Sequence, residues 1–207
     1  VSRSETQLLE HALVGSPALT PPGILIWGEE GLGKSHLLQA VCAQLGRGAS
    51  YIPLGVVMDA MPSAMLEGIE SSSAVLVDDV HLSLTKPEWQ EGLFHCFNRC
   101  VAAGTPLVVS SKTAVSGLSD LLPDLTSRLA LLTGFRLPSW EMDAFESLLI
   151  RLAKHRGLIF TEEVARYLNR RLRHTPVDAL VAIEKIELSS LIEQRTPTIP
   201  FLKTLGL

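Results

Sequence analysis

The sequence lacks the strong positive charge that is typical of proteins that bind duplex DNA through many phosphates. It contains 18 lysines and arginines against 22 aspartates and glutamates, which gives a formal net charge of −4 with neutral histidines. Aromatic residues are also few, at 5 % of the chain, so the side chains on which single-stranded bases stack are scarce. We therefore predict that direct DNA binding is weak or absent.

Long apolar runs are missing as well. No run approaches the roughly 20 residues that a membrane-spanning helix requires, and no basic stretch followed by an apolar core and a cleavage site opens the chain. The sequence thus predicts a cytoplasmic protein with no membrane partner.

Cysteine is scarce and unevenly spaced. Cys42, Cys96 and Cys100 lack the paired spacing of zinc sites, and their odd number favours a reducing compartment. A metal site that includes His95 is the alternative. Because the three cysteines fall within apolar helix patterns, and cysteine is among the most buried residue types, we predict core thiols.

Apolar and charged residues are balanced as in a globular protein with a well-buried core, at 46 % and 19 % of the chain. Short apolar runs bounded by turn residues alternate with segments of helical period, which indicates a parallel sheet covered by helices. We therefore predict an α/β fold. The predicted strands are 24–27, 51–54, 74–77, 106–110 and 131–137.

After residue 138 the pattern becomes entirely helical. We predict a first helix over 140–156 that is capped by Ser139, and two further helices capped by Thr161 and Thr175. The segment TPTIP is expected to end the third helix. The predicted domains are an α/β base, 1–138, and a helical lid, 139–207.

The lid carries a cluster of arginines. A solvated helix end is the favoured interpretation, and a nucleic-acid contact is the alternative. The cluster consists of Arg166, Arg170, Arg171 and Arg173.

The segment GEEGLGKS has the spacing of a P-loop, and it lies between an apolar strand and an amphipathic helix, where that motif belongs. Glycines let successive backbone N–H groups face phosphates, the following helix adds its positive end, and Lys34 reaches the β- and γ-phosphates. The sequence therefore predicts a phosphate cradle. Its predicted nucleotide-binding residues are Gly28, Gly31, Leu32, Gly33, Lys34, Ser35 and His36.

Two aspartates follow the apolar run AVLV. A P-loop fold places a magnesium-holding carboxylate at this point, so we assign Asp78 and the Ser35 hydroxyl to Mg²⁺. Asp79 is predicted to orient or deprotonate the attacking water, with a capping role at the strand end as the alternative. For the side chains of His36 and His81 we expect packing or local hydrogen bonding.

Four segments occur together in order: GLGKSHLLQAV, VDDVH, QEGLFHCFNRCVAAGTPLVVSS and DLTSRLA. With them the sequence resembles the DnaA branch of the AAA+ ATPases over nearly the full chain. Within that branch, the ending TIPFLKTLGL is similar to that of the inactivator group, Hda.

The resemblance implies a P-loop AAA+ sheet with flanking helices, a small all-α lid, a bound adenine nucleotide (ADP or ATP) with Mg²⁺, and self-association through AAA+ interfaces. It also implies that the protein, together with the DNA polymerase sliding clamp, promotes hydrolysis of DnaA-bound ATP and so restrains replication initiation. Arg128, in the triplet SRL, matches the family's arginine finger. A surface salt bridge is the alternative for Arg128, and a DNA-handling ATPase of the helicase-loader or transposition-helper type is the alternative for the protein.

The sequence departs from the family pattern at three places. Lys112 follows Ser110 and Ser111 where the sensor 1 loop usually offers an aspartate or asparagine, and Val177 stands where the sensor 2 arginine is usual. Lysine does not orient a water as a carboxylate does, and valine brings no guanidinium to the nucleotide, so weak ATPase activity of its own is expected. The clamp-binding peptide that the resemblance leads us to expect near the N-terminus is not recognised after Val1.

Overall fold

The computed structural model describes residues 19–138 and 142–207. The predicted cap at Ser139 lies outside these residues. They divide into two compact units: one holds the described residues up to Glu30 together with Lys34–Pro138, and the other holds Gly31–Gly33 together with the residues from 142 onward. Within the described ranges, no helix is both long and apolar enough to cross a bilayer.

The first unit contains a five-stranded, all-parallel sheet with the strand order β2-β3-β4-β1-β5. The predicted α/β fold is therefore confirmed. The strands β3 and β4 are buried along their whole length and are apolar until their polar last residues, as expected for parallel strands covered on both faces. The strands are β1 (Gly23–Trp27), β2 (Ala49–Pro53), β3 (Ala74–Asp78), β4 (Leu107–Ser111) and β5 (Thr133–Arg136).

Two predicted strands have the wrong bounds. The predicted strand 51–54 lies too far along the chain, and the predicted strand 131–137 is too long. Leu54 begins a helix, and Leu131 and Leu132 belong to the turn before β5. In both places an apolar side chain enters the core from a helical or turn conformation, which an apolar run alone does not reveal. The helices of this unit are α1 (Lys34–Leu45), α2 (Leu54–Val57), α3 (Pro62–Leu66), α4 (Pro87–Ala103) and α5 (Pro123–Leu129).

Helix α4 presents its apolar face to the sheet. Trp89, Phe97, Cys96 and Cys100 are buried on that face, and the Trp89 indole N–H donates to the Met58 carbonyl at 3.0 Å. A hydrogen bond with Cys100, together with burial, raises the pKa of the Cys96 thiol. These two cysteines are thus core thiols, as predicted.

The remaining cysteine and the metal alternative are also settled within the described part of the chain. Cys42 is free and only partly buried. The described residues contain no cluster of histidine, cysteine and carboxylate side chains suited to a metal ion, so a site that joins His95 to the cysteines is not formed there.

The second unit packs four helices around Phe145, Leu149, Leu168 and Ile183. Thr161 and Thr175 cap two of them as predicted: their hydroxyls accept from the backbone N–H groups of Val164 at 3.3 Å and Asp178 at 3.1 Å. The helices are α6 (Met142–His155), α7 (Glu162–Asn169), α8 (Pro176–Glu193) and α9 (Ile199–Thr204).

Helix α9 was missed by the sequence analysis, which expected TPTIP only to end a helix. Its proline lies in the first turn of α9, where its missing N–H has no intrahelical acceptor to lose. The buried side chains of Phe201 and Leu202 anchor this helix.

Gly23 begins β1 at a point where the neighbouring strand leaves no space for a side chain. Its φ is +119°, and a Cβ built there would lie 1.9 Å from the Leu107 carbonyl oxygen. We predict that Gly23→Ala lowers the free energy of unfolding by about 3 kcal/mol or more, because backbone atoms of β4 must move.

Gly46→Ala is the matched control for this substitution. Gly46 also has a positive φ, +71°, but nothing lies within 4 Å of the added Cβ, so only the conformational cost of about 1 kcal/mol is expected. Urea unfolding of the two variants measures both values. Equal losses would show that close approach to β4 is not what requires glycine at Gly23.

Candidate functional site

The predicted phosphate loop connects β1, which ends at Trp27, to α1, which begins at Lys34. Gly31 and Gly33 have φ values of +81° and +95°, a conformation that glycine adopts at little cost. The Gly28 N–H donates to the Ser111 carbonyl at 3.2 Å. The loop is thus tied to the end of β4 and turns back through its glycines into a helix.

The ammonium group of Lys34 is folded against its own loop. It donates to the carbonyl oxygens of Gly28 and Glu29, each at 2.8 Å, and the residue is buried. Burial lowers the pKa of Lys34, and the nearby carboxylates of Asp79 and Asp78 oppose this effect. Among the described residues Lys34 forms no ion pair, so its charge is held by neutral carbonyl groups.

Asp78 ends β3 with a buried side chain whose two carboxylate oxygens both accept hydrogen bonds. Oδ2 accepts from the Tyr51 hydroxyl at 2.8 Å, and Oδ1 accepts from the Ser110 hydroxyl. Tyr51 lies on β2 and Ser110 on β4, the two neighbours of β3 in the sheet. Neither partner was predicted as a site residue. The signal for Tyr51 was a hydroxyl in the predicted strand 51–54, whose other residues are apolar.

Asp79 has a left-handed backbone, with φ +58° and ψ +50°, which is uncommon for a residue other than glycine. Its N–H donates to the Ser110 hydroxyl at 2.7 Å. Asp79 precedes a 3₁₀ turn, Val80–Thr85, but its side chain makes no capping hydrogen bond. The capping alternative for this carboxylate is therefore wrong.

The Asp79 carboxylate is half-buried and surrounded by titratable groups. Burial is the largest effect that raises the pKa of Asp79, and repulsion from Asp78 is the second. The attraction of His81 and Lys34 lowers this pKa. A carboxyl group with a raised pKa is a stronger base than an ordinary one, which suits a group that orients or deprotonates water.

His81 makes a local hydrogen bond. Its Nδ1 accepts from the Lys112 backbone N–H at 3.3 Å and lies 3.9 Å from Asp79 Oδ1. Burial lowers the pKa of the ring, and the attraction of Asp79 only partly opposes this effect. The neutral ring with its proton on Nε2 therefore fits the geometry. The Lys112 side chain is exposed.

Arg128 lies in the last turn of α5. Its guanidinium carbon is 5.8 Å from the centre of the Phe94 ring, and its Nε is buried without a hydrogen-bond partner. No ion pair with any described residue involves Arg128, so the salt-bridge alternative finds no support. Nor does a described contact join Arg128 to Lys34, Asp78 or Asp79.

The other predicted side chains make fewer contacts. Ser35 is half-buried in the first turn of α1, and His36 is exposed. The His36 side chain is exposed and makes no hydrogen bond within the described residues, so the expectation of packing or local hydrogen bonding was wrong for it. Leu32 is buried. Val177 is the second residue of α8, and its side chain is exposed.

The arginines of the second unit are solvent-exposed. Arg166, Arg170, Arg171 and Arg173 lie at or after the end of α7. Arg171 also stacks on the Tyr167 ring, with its guanidinium carbon 4.9 Å from the ring centre. These positions agree with the solvated helix end that the sequence favoured.

Comparisons with known proteins bear on both units. A family model described as "Bacterial DnaA ATPAse domain" matches residues 54–134, and one described as "Hda, lid domain" matches residues 143–205. A Haemophilus influenzae protein described only as uncharacterized is 34 % identical over 200 residues, which are 95 % of this chain and 86 % of that protein.

Two solved structures share the fold. Domain III of the Thermotoga maritima replication initiation protein DnaA aligns with a TM-score of 0.82 at 22 % identity, covering 98 % of this chain and 89 % of that one. AMPPCP-bound DnaA from Aquifex aeolicus aligns with a TM-score of 0.75 at 23 % identity, covering 91 % of this chain but only 63 % of that one. The predicted AAA+ sheet with a helical lid is thereby confirmed.

The His81 ring generates a prediction about pH. We expect the His81 pKa in the folded protein to lie below the ordinary value of 6.5, because burial outweighs the attraction of Asp79. A depressed histidine pKa contributes stability that is fully present above 6.5 and is lost as the pH falls through the folded pKa. NMR titration of the imidazole, assigned with His81→Gln, measures the value.

Asp79→Asn is the control for this titration. Removing the carboxylate takes away the largest interaction that raises the His81 pKa, so the pKa should fall further. A His81 pKa above 6.5 in the parent protein would mean that the attraction of Asp79 outweighs burial.

Proposed function

Because this chain belongs to the DnaA/Hda family of AAA+ proteins, we propose that it is an adenine-nucleotide-bound regulator of replication initiation that promotes hydrolysis of DnaA-bound ATP. Arg128 carries this proposal: its guanidinium has no carboxylate partner among the described residues and its Nε is buried unpaired. The Hda lid match over residues 143–205 supports the regulator over a DNA-handling motor. In this proposal residues 1–138 form the nucleotide-binding base and 139–207 form the lid.

The proposed nucleotide is ADP or ATP, and the loop before α1 is the proposed phosphate cradle. DnaA from Aquifex aeolicus binds the ATP analogue AMPPCP, and the fold is shared. Among the described residues, the hydrogen bonds of the buried Lys34 ammonium go to neutral carbonyls, which a phosphate oxygen can replace as a stronger, charge-assisted partner. The predicted cradle residues from Gly28 to His36 follow as one segment.

The proposed metal ion is Mg²⁺, held through Asp78 and the Ser35 hydroxyl. Magnesium prefers hard oxygen ligands and keeps several of its waters, and the Asp78 carboxylate is such a ligand, already fixed by two hydroxyl donors. When bound, the ion would neutralise phosphate charge. The residues present therefore fit the metal that the fold implies.

We further propose that the protein's own ATP hydrolysis is weak. Asp79 is the candidate group for orienting water, but Lys112 and Val177 are exposed and stand where polar sensor groups are usual. Without those groups, charge that develops on a γ-phosphate is less stabilised. The nucleotide would then act chiefly as a structural ligand.

Arg128 is proposed to act in trans on ATP bound to DnaA. Stacking on Phe94 restrains its side chain within α5 without neutralising its charge. An arginine finger stabilises the charge of the transition state in a neighbouring subunit's site. The sliding clamp as loading partner, and self-association through AAA+ interfaces, belong to the same proposal.

Nucleotide binding should depend on Lys34. We predict that Lys34→Ala weakens ADP binding at least about tenfold, because a buried charge-assisted contact to phosphate is lost. Calorimetric titration with ADP measures the affinity. Lys185→Ala removes an exposed lysine of α8 and serves as the matched control, with no loss expected. Equal ADP affinity of the Lys34 variant and the parent would remove the phosphate-cradle assignment.

Stimulation of DnaA should depend on Arg128. We predict that Arg128→Ala retains folding and ADP binding but loses stimulation of DnaA-bound ATP hydrolysis in the presence of a DNA-loaded clamp. Arginine fingers contribute on the order of 10³ to 10⁵ in rate, so the loss should be readily measured. Arg128→Lys should restore little, since lysine lacks the planar guanidinium.

Arg47→Ala is the control for Arg128, since Arg47 is an exposed arginine of the same unit. It should stimulate DnaA as the parent does. Unchanged stimulation by Arg128→Ala, or unfolding of that variant, would make Arg128 a structural residue and leave the regulator proposal without its mechanism. Rapid ATP turnover by the protein alone would instead favour a motor.

A further inference from the structure

The Asp78 carboxylate is held from both sides by neutral hydroxyl groups. Tyr51 donates to Oδ2 at 2.8 Å from β2, and Ser110 donates to Oδ1 from β4. With both oxygens engaged, the carboxylate cannot rotate about its terminal bond without breaking a hydrogen bond. Each oxygen still has acceptor capacity for a further partner.

Tyr51 also connects Asp78 to α1, the helix that carries Ser35. The Gln39 side-chain amide donates to the Tyr51 hydroxyl at 3.4 Å, and Gln39 lies four residues after Ser35, on the same face of α1. Two hydrogen bonds therefore connect the face of α1 that carries Ser35, one proposed magnesium ligand, to the carboxylate of Asp78, the other proposed ligand.

The hydroxyls of Ser110 and Tyr51 differ in their other hydrogen-bond partners. Ser110 accepts from the Asp79 N–H as well as donating to Asp78, so its loss disturbs two residues. Among the described acidic residues, Tyr51 donates a hydrogen bond to Asp78. A phenol is a neutral donor at ordinary pH, so the charge of the carboxylate is preserved.

We propose that Tyr51 is a positioning residue for magnesium: its hydroxyl fixes the Asp78 carboxylate in the orientation that receives the ion with the nucleotide. This inference rests on the proposed function, because it presupposes the assignment of Asp78 to Mg²⁺. Hydrogen-bond partners of metal ligands act in this way generally, by restricting the ligand to one orientation, and their loss typically costs 10–100-fold in metal affinity.

The test separates metal-dependent from metal-independent nucleotide binding. AMPPCP affinity is measured by calorimetry in excess EDTA and again in excess Mg²⁺, and the ratio of the two affinities is the magnesium gain. Tyr51→Phe should leave the EDTA affinity unchanged and reduce the magnesium gain about tenfold. Tyr51 with a merely structural role would lower both affinities together.

Matched variants make each outcome decisive. Tyr167→Phe removes a hydroxyl of the second unit that donates to the Leu207 carbonyl and should change neither affinity. Asp78→Asn should abolish the gain. Ser110→Ala, which frees the other carboxylate oxygen, should also reduce it and provides the test if Tyr51→Phe does not fold.

The failures of the two proposals are distinguishable. If Asp78→Asn loses the magnesium gain but Tyr51→Phe keeps it in full, the positioning role is overturned and the metal assignment stands. If the parent protein shows no magnesium gain at all, the metal assignment is wrong and the role of Tyr51 falls with it.

Discussion

A buried carboxylate at the end of a parallel strand must be satisfied by its neighbours, and much of the site follows from how this sheet meets that requirement. Asp78 is buried at the point where β3 ends between β2 and β4. Burying a carboxylate without hydrogen bonds costs several kcal/mol. The hydroxyls of Tyr51 and Ser110 remove most of that cost without cancelling the negative charge.

The Ser110 hydroxyl also links Asp78 to the residues that follow it in the chain. Ser110 accepts from the Asp79 N–H, which holds the left-handed backbone that turns the chain after β3. That turn leads through the 3₁₀ segment to His81, whose ring receives the Lys112 N–H beyond the end of β4. The ends of β3 and β4 are thus joined through the side chains of Asp78, Ser110 and His81. A change at one of these residues alters the surroundings of the others.

Local patterns were enough to predict much of this fold. The short run of apolar residues before Asp78 predicted β3 because a strand that is buried on both faces has such a run. Thr161 and Thr175 were found because a cap and its N–H partner lie three residues apart in the sequence. The P-loop spacing predicted the strand–loop–helix order from Trp27 to Lys34 because its residues are also close together in the sequence.

Contacts between distant segments were not predictable in this way. Tyr51 and Asp78 are 27 residues apart, and their meeting depends on strand order, which a single sequence does not state. Helix α9 was missed because its threonine and proline, read without the buried Phe201, suggest an ending.

The hydrogen bonds of Lys34 have a thermodynamic consequence for any anion that reaches the loop. Two of the three ammonium donors are already engaged by the carbonyls of Gly28 and Glu29 at 2.8 Å. An incoming anion that binds through either of these two donors competes with the loop's own backbone rather than with bulk water. The heat of that exchange is a difference between two sets of hydrogen bonds, and the carbonyls that are released must find new donors. The loop carbonyls and such an anion would compete for the same ammonium group. The free energy of the loop's rearrangement would then contribute to the measured affinity.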